Sequence, residues 1–307
     1  MYSRRQFLTD ALTTTAALTL ASRSAWAEPN EPSGVLMTRA IPSTGEKIPV
    51  IGAGTSGSFE ATVGSDKYER LKEVLKVFFE GGATVFDTSP NYNGADAILG
   101  RLLHEGGWRK QCFLATKIAA DNLEDAKAQW AGSQRSLHTD RVELLQVHNL
   151  RAWRTQLPYA RELKEQGKTK YIGVTHYVDS GLEEMERILR SEPLDFIQIH
   201  YSANSPKAAE RVLPLAQDKG VAVMINRAFD DGRLFARVQN KALPGWAADV
   251  GITSWAQAFL KFALSHPAVT VVIPATSRPE RQADNLKAGR GPLLTAAQQR
   301  ELTAIVA

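Results

Sequence analysis

Cysteine is nearly missing from these 307 residues: there is one, Cys112. A disulfide within the chain is excluded, and with it the small disulfide-stapled scaffolds of secreted domains. Cys112 falls in the apolar run Cys112-Phe113-Leu114-Ala115-Thr116 and reads as a buried small hydrophobe, not as a reactive thiol. Also missing is any group of His, Cys, Asp and Glu with metal-ligand spacing, so the sequence gives no metal site. No Ser-His-Asp nucleophile arrangement presents itself either. No linker rich in Pro, Ser or Gly, no charge block and no low-complexity segment divides the chain. The excess of 37 basic over 33 acidic residues is weak, whereas a nucleic-acid partner needs a clustered basic face.

The first stretch stands apart from the rest. Ser3-Arg4-Arg5-Gln6-Phe7-Leu8 is followed by an apolar run from Ala11 to Ala21 and then by Ala25-Trp26-Ala27. Paired arginines before Phe-Leu match the twin-arginine export address, and small residues at 25 and 27 suit a signal peptidase cutting between Ala27 and Glu28. The run is too short and too rich in threonine to span a bilayer as a helix. Residues 1–27 thus read as a twin-arginine signal peptide, which implies the twin-arginine translocation machinery as a partner and a periplasmic location. Its removal takes away Arg4, Arg5, Arg23 and Asp10, leaving 34 basic and 32 acidic residues and a net charge of +2. No long apolar segment remains, so no membrane association is expected after cleavage.

What is abundant is alternation. Short β-branched runs occur at Thr84–Asp87, Cys112–Lys117, Val142–His148, Tyr171–Thr175, Phe196–His200, Val221–Ile225 and Thr270–Ile273. Between them lie amphipathic stretches such as Tyr68–Phe79, Leu123–Leu137, Leu182–Leu189 and Trp255–Leu264. Leu71, Val74, Leu75 and Phe78 follow the i, i+3, i+4, i+7 spacing of one helix face. With Ile48–Ile51 as the first strand there are eight strand–helix units in about 280 residues, which predicts a parallel (β/α)8 barrel. A doubly wound open sheet is the structural alternative. Val35–Arg39 and Lys47–Ile51 flank Ser43-Thr44-Gly45-Glu46 and predict an N-terminal β-hairpin that closes the barrel bottom. Pro279–Lys287 and Thr295–Val306 predict two helices after the last strand, the second a C-terminal extra helix. The barrel domain is assigned to residues 35–307.

Reactive groups of such barrels sit at the C-terminal ends of the strands. Here those ends carry Asp87 with Tyr92 five residues on, Lys117, and His148. Any one of these alone suits a structural ion pair or a core histidine. Together they suit the reduction of a carbonyl, which needs a hydride on carbon and a proton on oxygen. A phenol is a weak acid with a pKa of about 10. A nearby ammonium favours the phenolate and is expected to lower that value, and a carboxylate keeps the ammonium charged. An imidazole N–H near the carbonyl oxygen orients the substrate and stabilises developing charge.

Asp87, Tyr92, Lys117 and His148 resemble the Asp-Tyr-Lys-His tetrad of the aldo-keto reductases, in that family's chain order. The resemblance covers the chain from about residue 35 to the end and suggests an exported bacterial member. It implies Tyr92 as general acid, Lys117 as its pKa modifier, Asp87 as the partner of Lys117 and His148 as the group that orients the carbonyl. It also implies NADPH (NADP) as cofactor and a small-molecule carbonyl as substrate. The run Ile273 to Asn285 is similar to the family segment that grips the adenosine 2′-phosphate. There Arg281 matches the phosphate-binding arginine, Thr276 a phosphate-binding hydroxyl, and Asp284 with Asn285 the pair that holds the adenine. Ala275 stands where many members carry lysine, and Arg278 is a candidate to compensate. Helix N-terminal N–H groups and guanidinium groups suit a phosphate.

At the nicotinamide end the resemblance is looser. Gly173-Val174-Thr175-His176 stands where the family often has Gly-Val-Ser-Asn, so Thr175 keeps a hydroxyl while His176 replaces an amide. Gln198 matches the glutamine that holds the carboxamide. Asn226 falls near the position of a ring-stacking tyrosine, and Arg227 or Phe229 could cover the ring instead. Gly52-Ala53-Gly54-Thr55 is a G-x-G turn, weak alone as a phosphate motif; in the family it lets the backbone approach the cofactor at Gly54 and Thr55. Trp153 and Trp246 are candidates to line a substrate pocket, and the other tryptophans read as packing residues. Two rival functions stand beside the reductase: a redox-silent, cofactor-binding sensor or accessory factor, and a non-redox barrel in which Lys117 forms a Schiff base.

Overall fold

The computed structural model describes residues 34–307, and the export signal read from residues 1–27 lies outside them. A short antiparallel hairpin comes first, β1 (Thr38–Ala40) with β2 (Lys47–Pro49), paired Thr38 to Pro49 and Ala40 to Lys47. Eight parallel strands follow: β3 (Ala53–Gly54), β4 (Val85–Asp87), β5 (Phe113–Ile118), β6 (Val142–Val147), β7 (Thr169–Thr175), β8 (Phe196–His200), β9 (Ala222–Asn226) and β10 (Val269–Val272), each hydrogen-bonded to the next in chain order. The ring closes between β10 and β3. Gly52 N donates to Val272 O at 2.9 Å, Val272 N to Val50 O at 2.9 Å, and Gly54 N to Pro274 O at 3.2 Å. Closure excludes the doubly wound open sheet.

The helices are α1 (Asp66–Glu80), α2 (Ala95–Glu105), α3 (Leu123–Ser136), α4 (Trp153–Glu165), α5 (Leu182–Ser191), α6 (Val212–Asp218), α7 (Arg233–Arg237), α8 (Trp255–Leu264), α9 (Pro279–Lys287) and α10 (Ala296–Val306). α7 lies within the β9–α8 connection, and α10 is the extra C-terminal helix. The expected stripe on α1 is buried as Tyr68, Leu71, Val74, Leu75 and Phe78, and Ser65 starts the helix by accepting from Tyr68 N at 3.2 Å. Each such side chain contributes roughly 1.5–3 kcal/mol on full burial. Among the described residues, no helix is long and apolar enough to cross a membrane.

Two expectations change. The first barrel strand is not Ile48–Ile51. Residues 47–49 are taken by the hairpin, so only Ile51 bridges to Val272, and the ladder with β4 runs through Ala53 and Gly54. The stretch through β3 and the turn beyond it also reads Gly52-Ala53-Gly54-Thr55-Ser56-Gly57 in full, which is G-x-G-x-x-G spacing and more than the G-x-G of its first half. It is still no dinucleotide fingerprint, because no helix opens on it: α1 begins only at Asp66.

The barrel is filled, not hollow. Ile41 and Ile48 from the hairpin close one end and pack with Val85, Phe113, Leu144, Tyr171, Phe196, Ala222, Met224 and Val271. Side chains two apart on a strand share a face, so β5 runs inward as Phe113, Ala115, Lys117 and β6 as Leu144, Gln146, His148. On β7 the inward row is Tyr171, Gly173, Thr175. A Cβ on Gly173 would lie 2.5 Å from Phe196 O, so the row has room only for glycine there. The apolar layers therefore give way to polar ones at the C-terminal ends of the strands.

Candidate active site

β4 ends on Asp87, whose carboxyl points into the barrel and is 2% exposed. Lys117, 1% exposed, donates to Asp87 Oδ2 at 2.5 Å and to Thr88 O at 2.8 Å. Asp87 Oδ1 accepts from Gln198 Nε2 at 2.9 Å and from Gln146 Nε2 at 3.1 Å. The carboxylate is thus engaged on both oxygens, twice on Oδ1 and once on Oδ2. Beyond β4 the chain turns at Ser89-Pro90, with Tyr92 N donating to Ser89 O at 3.1 Å, and brings the half-buried Tyr92 ring over the ammonium, 5.1 Å from Lys117 Nζ to its centroid. His148 follows β6. Its ring stands edge-on to Tyr92 at 5.7 Å between centroids, and Nδ1 shares a 3.2 Å hydrogen bond with Ser89 Oγ, which leaves Nε2 for the pocket. Asn149, Leu150 and Ala152 all have positive φ, at 55°, 57° and 44°, a sparsely populated run for non-glycine residues next to His148.

The electrostatics differ from expectation at one residue. Burial pushes the Tyr92 phenol up; Lys117 pulls it down and Asp87 pushes it up again, and the net direction is upward. The ammonium therefore moderates a buried phenol without bringing it below the ordinary tyrosine value. Burial opposes the Lys117 charge, but Asp87 and Tyr92 outweigh it and its pKa is raised. His148 is pushed down to about 3, by burial first and by the Lys117 charge second, so its imidazole is neutral in ordinary buffers.

One cleft of about 1210 Å³ opens over these groups. Of the residues singled out in the sequence, it is lined by Asp87, Tyr92 and His148, by Gly54, Thr55, Thr175, Gln198 and Arg227, and by Thr276, Arg281, Asp284 and Asn285. Lys117 lies beneath it, locked by Asp87 and Thr88, where no Schiff base can form without breaking a buried ion pair. His176 turns away: its Nδ1 lies 3.2 Å from Val178 O and its ring packs on Gly181, leaving its backbone carbonyl to accept from Asn226 Nδ2 at 3.1 Å. Arg278 is also outside the cleft. It is the N-cap of α9 and its exposed guanidinium lies 4.0 Å from Glu280. Arg227 pairs with Asp231 and donates to Tyr177 O at 2.7 Å. Asp284 accepts from Ser254 Oγ at 2.5 Å and Gln257 Nε2 at 2.6 Å, tying α9 to the start of α8.

Neither Trp153 nor Trp246 lines the cleft: each indole N–H is held by a carboxylate, Glu184 at 2.7 Å and Glu301 at 2.8 Å respectively. Trp255 lines it instead, as does Phe235, and both rings pack on Phe259. Gln146 and Ser89 were not singled out in the sequence. For Gln146 the signal was there, since it is two residues before His148 and shares its face. Asn226, read only as a replacement, places a buried Oδ1 at the cleft with no partner among the described residues. The described residues contain no metal-binding group of three or more His, Cys, Asp or Glu.

Comparison with known proteins gives one family. The model described as the aldo/keto reductase family matches residues 50–307. Aldo-keto reductase YhdN of Bacillus subtilis is 28% identical over 218 residues, covering 65% of this chain and 64% of that protein. L-galactose dehydrogenase of Arabidopsis thaliana is 27% identical over 209 residues, covering 61% of this chain and 63% of that protein. The chain thus spans somewhat under two thirds of the length of these two curated relatives. Among solved structures, an aldo/keto reductase of Klebsiella pneumoniae crystallised with NADP and acetate superposes with a TM-score of 0.72 at 23% identity, over 85% of this chain and 93% of that one. The holo form of an aldo-keto reductase of Bacillus halodurans gives 0.69 at 21%, over 89% and 97%. At these identities the two structures establish the shared barrel.

Proposed function

The chain belongs to the aldo/keto reductase family, and from that premise we propose that it is an NADPH-dependent oxidoreductase reducing an aldehyde or ketone to an alcohol. One observation carries the reading: a single cleft has Tyr92 and His148 at the strand ends and the first turn of α9, with Arg281 and Asn285, along the same wall system. The chain's groups suit the cofactor. The first N–H groups of a helix have no intrahelical partner, and Arg281 makes no ion pair among the described residues, so both suit the 2′-phosphate. The unpartnered Asn226 Oδ1 and the amide of Gln198 suit a carboxamide. Gly54 and Thr55 let the backbone come close. NADP and NADPH are also what two structures of aldo-keto reductases from Klebsiella pneumoniae hold.

When bound, NADPH supplies the hydride. The protein's part is to bind, orient and protonate. His148 Nε2, on a neutral ring fixed through Nδ1, orients the carbonyl oxygen and stabilises negative charge there. Tyr92 gives its phenolic proton to that oxygen. Lys117 stays an ammonium and stabilises the phenolate left behind, and Asp87 holds Lys117 in place. NADPH oxidation with a panel of aldehydes, ketones and quinones tests the reading. Turnover supports it; tight NADPH binding with no turnover on any carbonyl would favour a redox-silent protein.

We also propose that residues 1–27 direct twin-arginine export and that the enzyme works in the periplasm. The support is the order Arg4-Arg5, apolar run, Ala25-Trp26-Ala27. Arg4→Lys with Arg5→Lys should keep an uncleaved protein in the cytoplasm. A doubly substituted precursor still processed near Glu28 would show another route.

A further inference from the structure

Gln146 is closed to solvent, 0% exposed, on the inward row of β6. Its Nε2 donates to Asp87 Oδ1, the oxygen that Gln198 also holds, while Oδ2 receives Lys117. Its own Oε1 is buried with no partner among the described residues. A half-satisfied buried amide costs stability, and a leucine of similar size would avoid that cost. The polar service Gln146 performs here is therefore its donor to Asp87. A carboxylate held by only one amide on Oδ1 could rotate about its Cβ–Cγ bond and draw Oδ2 off the ammonium. Asp87 and Lys117 act on Tyr92 in opposite senses, so where the carboxylate charge sits decides their balance.

We propose that Gln146 is a positioning residue for proton delivery: its amide fixes Asp87 so that Oδ2 stays on Lys117, and thereby sets the acidity of Tyr92. The proposal rests on Tyr92 being the proton donor of the reaction. The titratable groups nearest Gln146 are Asp87 from β4, Tyr92 from the loop beyond it, Lys117 from β5 and His148 just past the end of β6. The neighbouring strand ends add the neutral side chains Thr175 from β7, Gln198 from β8 and Asn226 from β9.

The test is made on the full-length protein with Gln146→Leu and Gln146→Glu. Phenolate absorbance is titrated without cofactor, each protein against its Tyr92→Phe counterpart, so that the difference isolates one of the 7 tyrosines. Gln146→Leu leaves the Asp87 charge less compensated, so the Tyr92 inflection should move to higher pH. Its kcat should fall about tenfold with KM for the carbonyl unchanged, the low end of the scale of one lost hydrogen bond to a charged group, because Gln198 still holds Asp87 Oδ1. In Gln146→Glu two carboxylates meet, so the second proton of the pair is held to a higher pH than that of an isolated carboxyl. The introduced carboxyl, when protonated, still donates to Asp87. The kcat of this variant should therefore approach wild type at low pH and fall as the carboxyl pair loses its last proton, below the pH at which Tyr92 ionises; wild type and Gln146→Leu should fall only where Tyr92 itself ionises. If the leucine variant fails to fold, the glutamate variant decides alone, because its loss reverses with pH in one folded protein. A leucine variant with wild-type inflection and kcat would overturn the proposal, as would a glutamate variant with no pH-dependent recovery. Should the wild type turn over no carbonyl, the function proposed above fails, and the phenolate titration still judges Gln146.

Discussion

The two ends of the cleft are built on different plans. Around Tyr92 the polar groups are buried and mutually engaged: Asp87 accepts from two amides and an ammonium, Lys117 donates to Asp87 and Thr88, and Ser89 holds His148. At α9 the arginines are exposed, Arg281 has no ion-pair partner among the described residues, and Arg278 lies near Glu280. The first plan suits chemistry, since groups already aimed need no reorganisation as charge develops. The second suits binding, where an exposed side chain pays its ordering cost only when the ligand arrives. One end should therefore fail in rate and stability when altered, and the other in affinity alone.

The largest effect expected is at Tyr92. Tyr92→Phe removes the proton donor and little volume, and kcat should fall by about two to four orders of magnitude. The NADPH dissociation constant should hardly move. A variant with wild-type turnover would remove Tyr92 from the mechanism and erase the contrast. Next is Lys117→Met, which leaves a buried carboxylate without its cation. Denaturant unfolding should show a loss of about 3–5 kcal/mol, while Arg281→Ala should stay within about 0.5 kcal/mol of wild type. Equal losses for the two would mean that the ends do not differ in construction.

Affinity sharpens the same contrast from the other side. Arg281→Ala should weaken NADPH binding by about 10- to 150-fold, as expected for one charged hydrogen bond, and leave NADH binding nearly unchanged. Arg278→Ala should change the NADPH-to-NADH ratio much less, because its side chain lies outside the cleft. Dissociation constants for both cofactors across the two variants decide between them. If only Arg278→Ala moves the ratio, the phosphate site lies on the other side of the α9 cap.

A pH dependence completes the contrast. Burial and then the Lys117 charge push His148 down to about 3 in the folded protein, against the ordinary 6.5 of an unfolded chain. Between those values the unfolded chain binds a proton that the folded protein refuses, so stability falls as pH drops from 6.5 toward 3. Burial lowers His176, His200 and His266 in the same sense, so the wild type must be compared with His148→Gln. The variant should lose less stability between pH 7 and pH 4.5. The kcat/KM profile should show no inflection near 6.5. An inflection there, lost in His148→Gln, would mean that the ring is charged in the free enzyme.

The sequence carried the reaction end better than the rest, and the reasons are physical. Asp87, Tyr92, Lys117 and His148 are polar residues at the ends of apolar runs, and such interruptions are visible without coordinates. Gln146 is legible only in part: its spacing from His148 gives its face, but which carboxylate its amide meets appears only with the register of the barrel. The first barrel strand was misplaced for a related reason. Ile48–Ile51 is apolar enough to look like a barrel strand, whereas Ala53-Gly54 has almost no strand signal and pairs only because β4 and β10 flank it. Trp255 reads as packing in the sequence because an indole at a helix start is indistinguishable by spacing from one that faces a cleft. Lys117 was expected to make Tyr92 more acidic than a free phenol; burial, which no local motif reveals, outweighs it.

Tyr92 as proton donor to a carbonyl reduced in this cleft is tested most directly with NADPH carrying deuterium at nicotinamide C4. Wild type and Tyr92→Phe are each given an aldehyde that the wild type turns over, and label on the product's carbinol carbon is followed with time. Deuterium should appear there in step with NADPH consumption, and about two to four orders of magnitude more slowly in Tyr92→Phe. NADPH consumed without label reaching that carbon, or label arriving equally fast in both proteins, would contradict it.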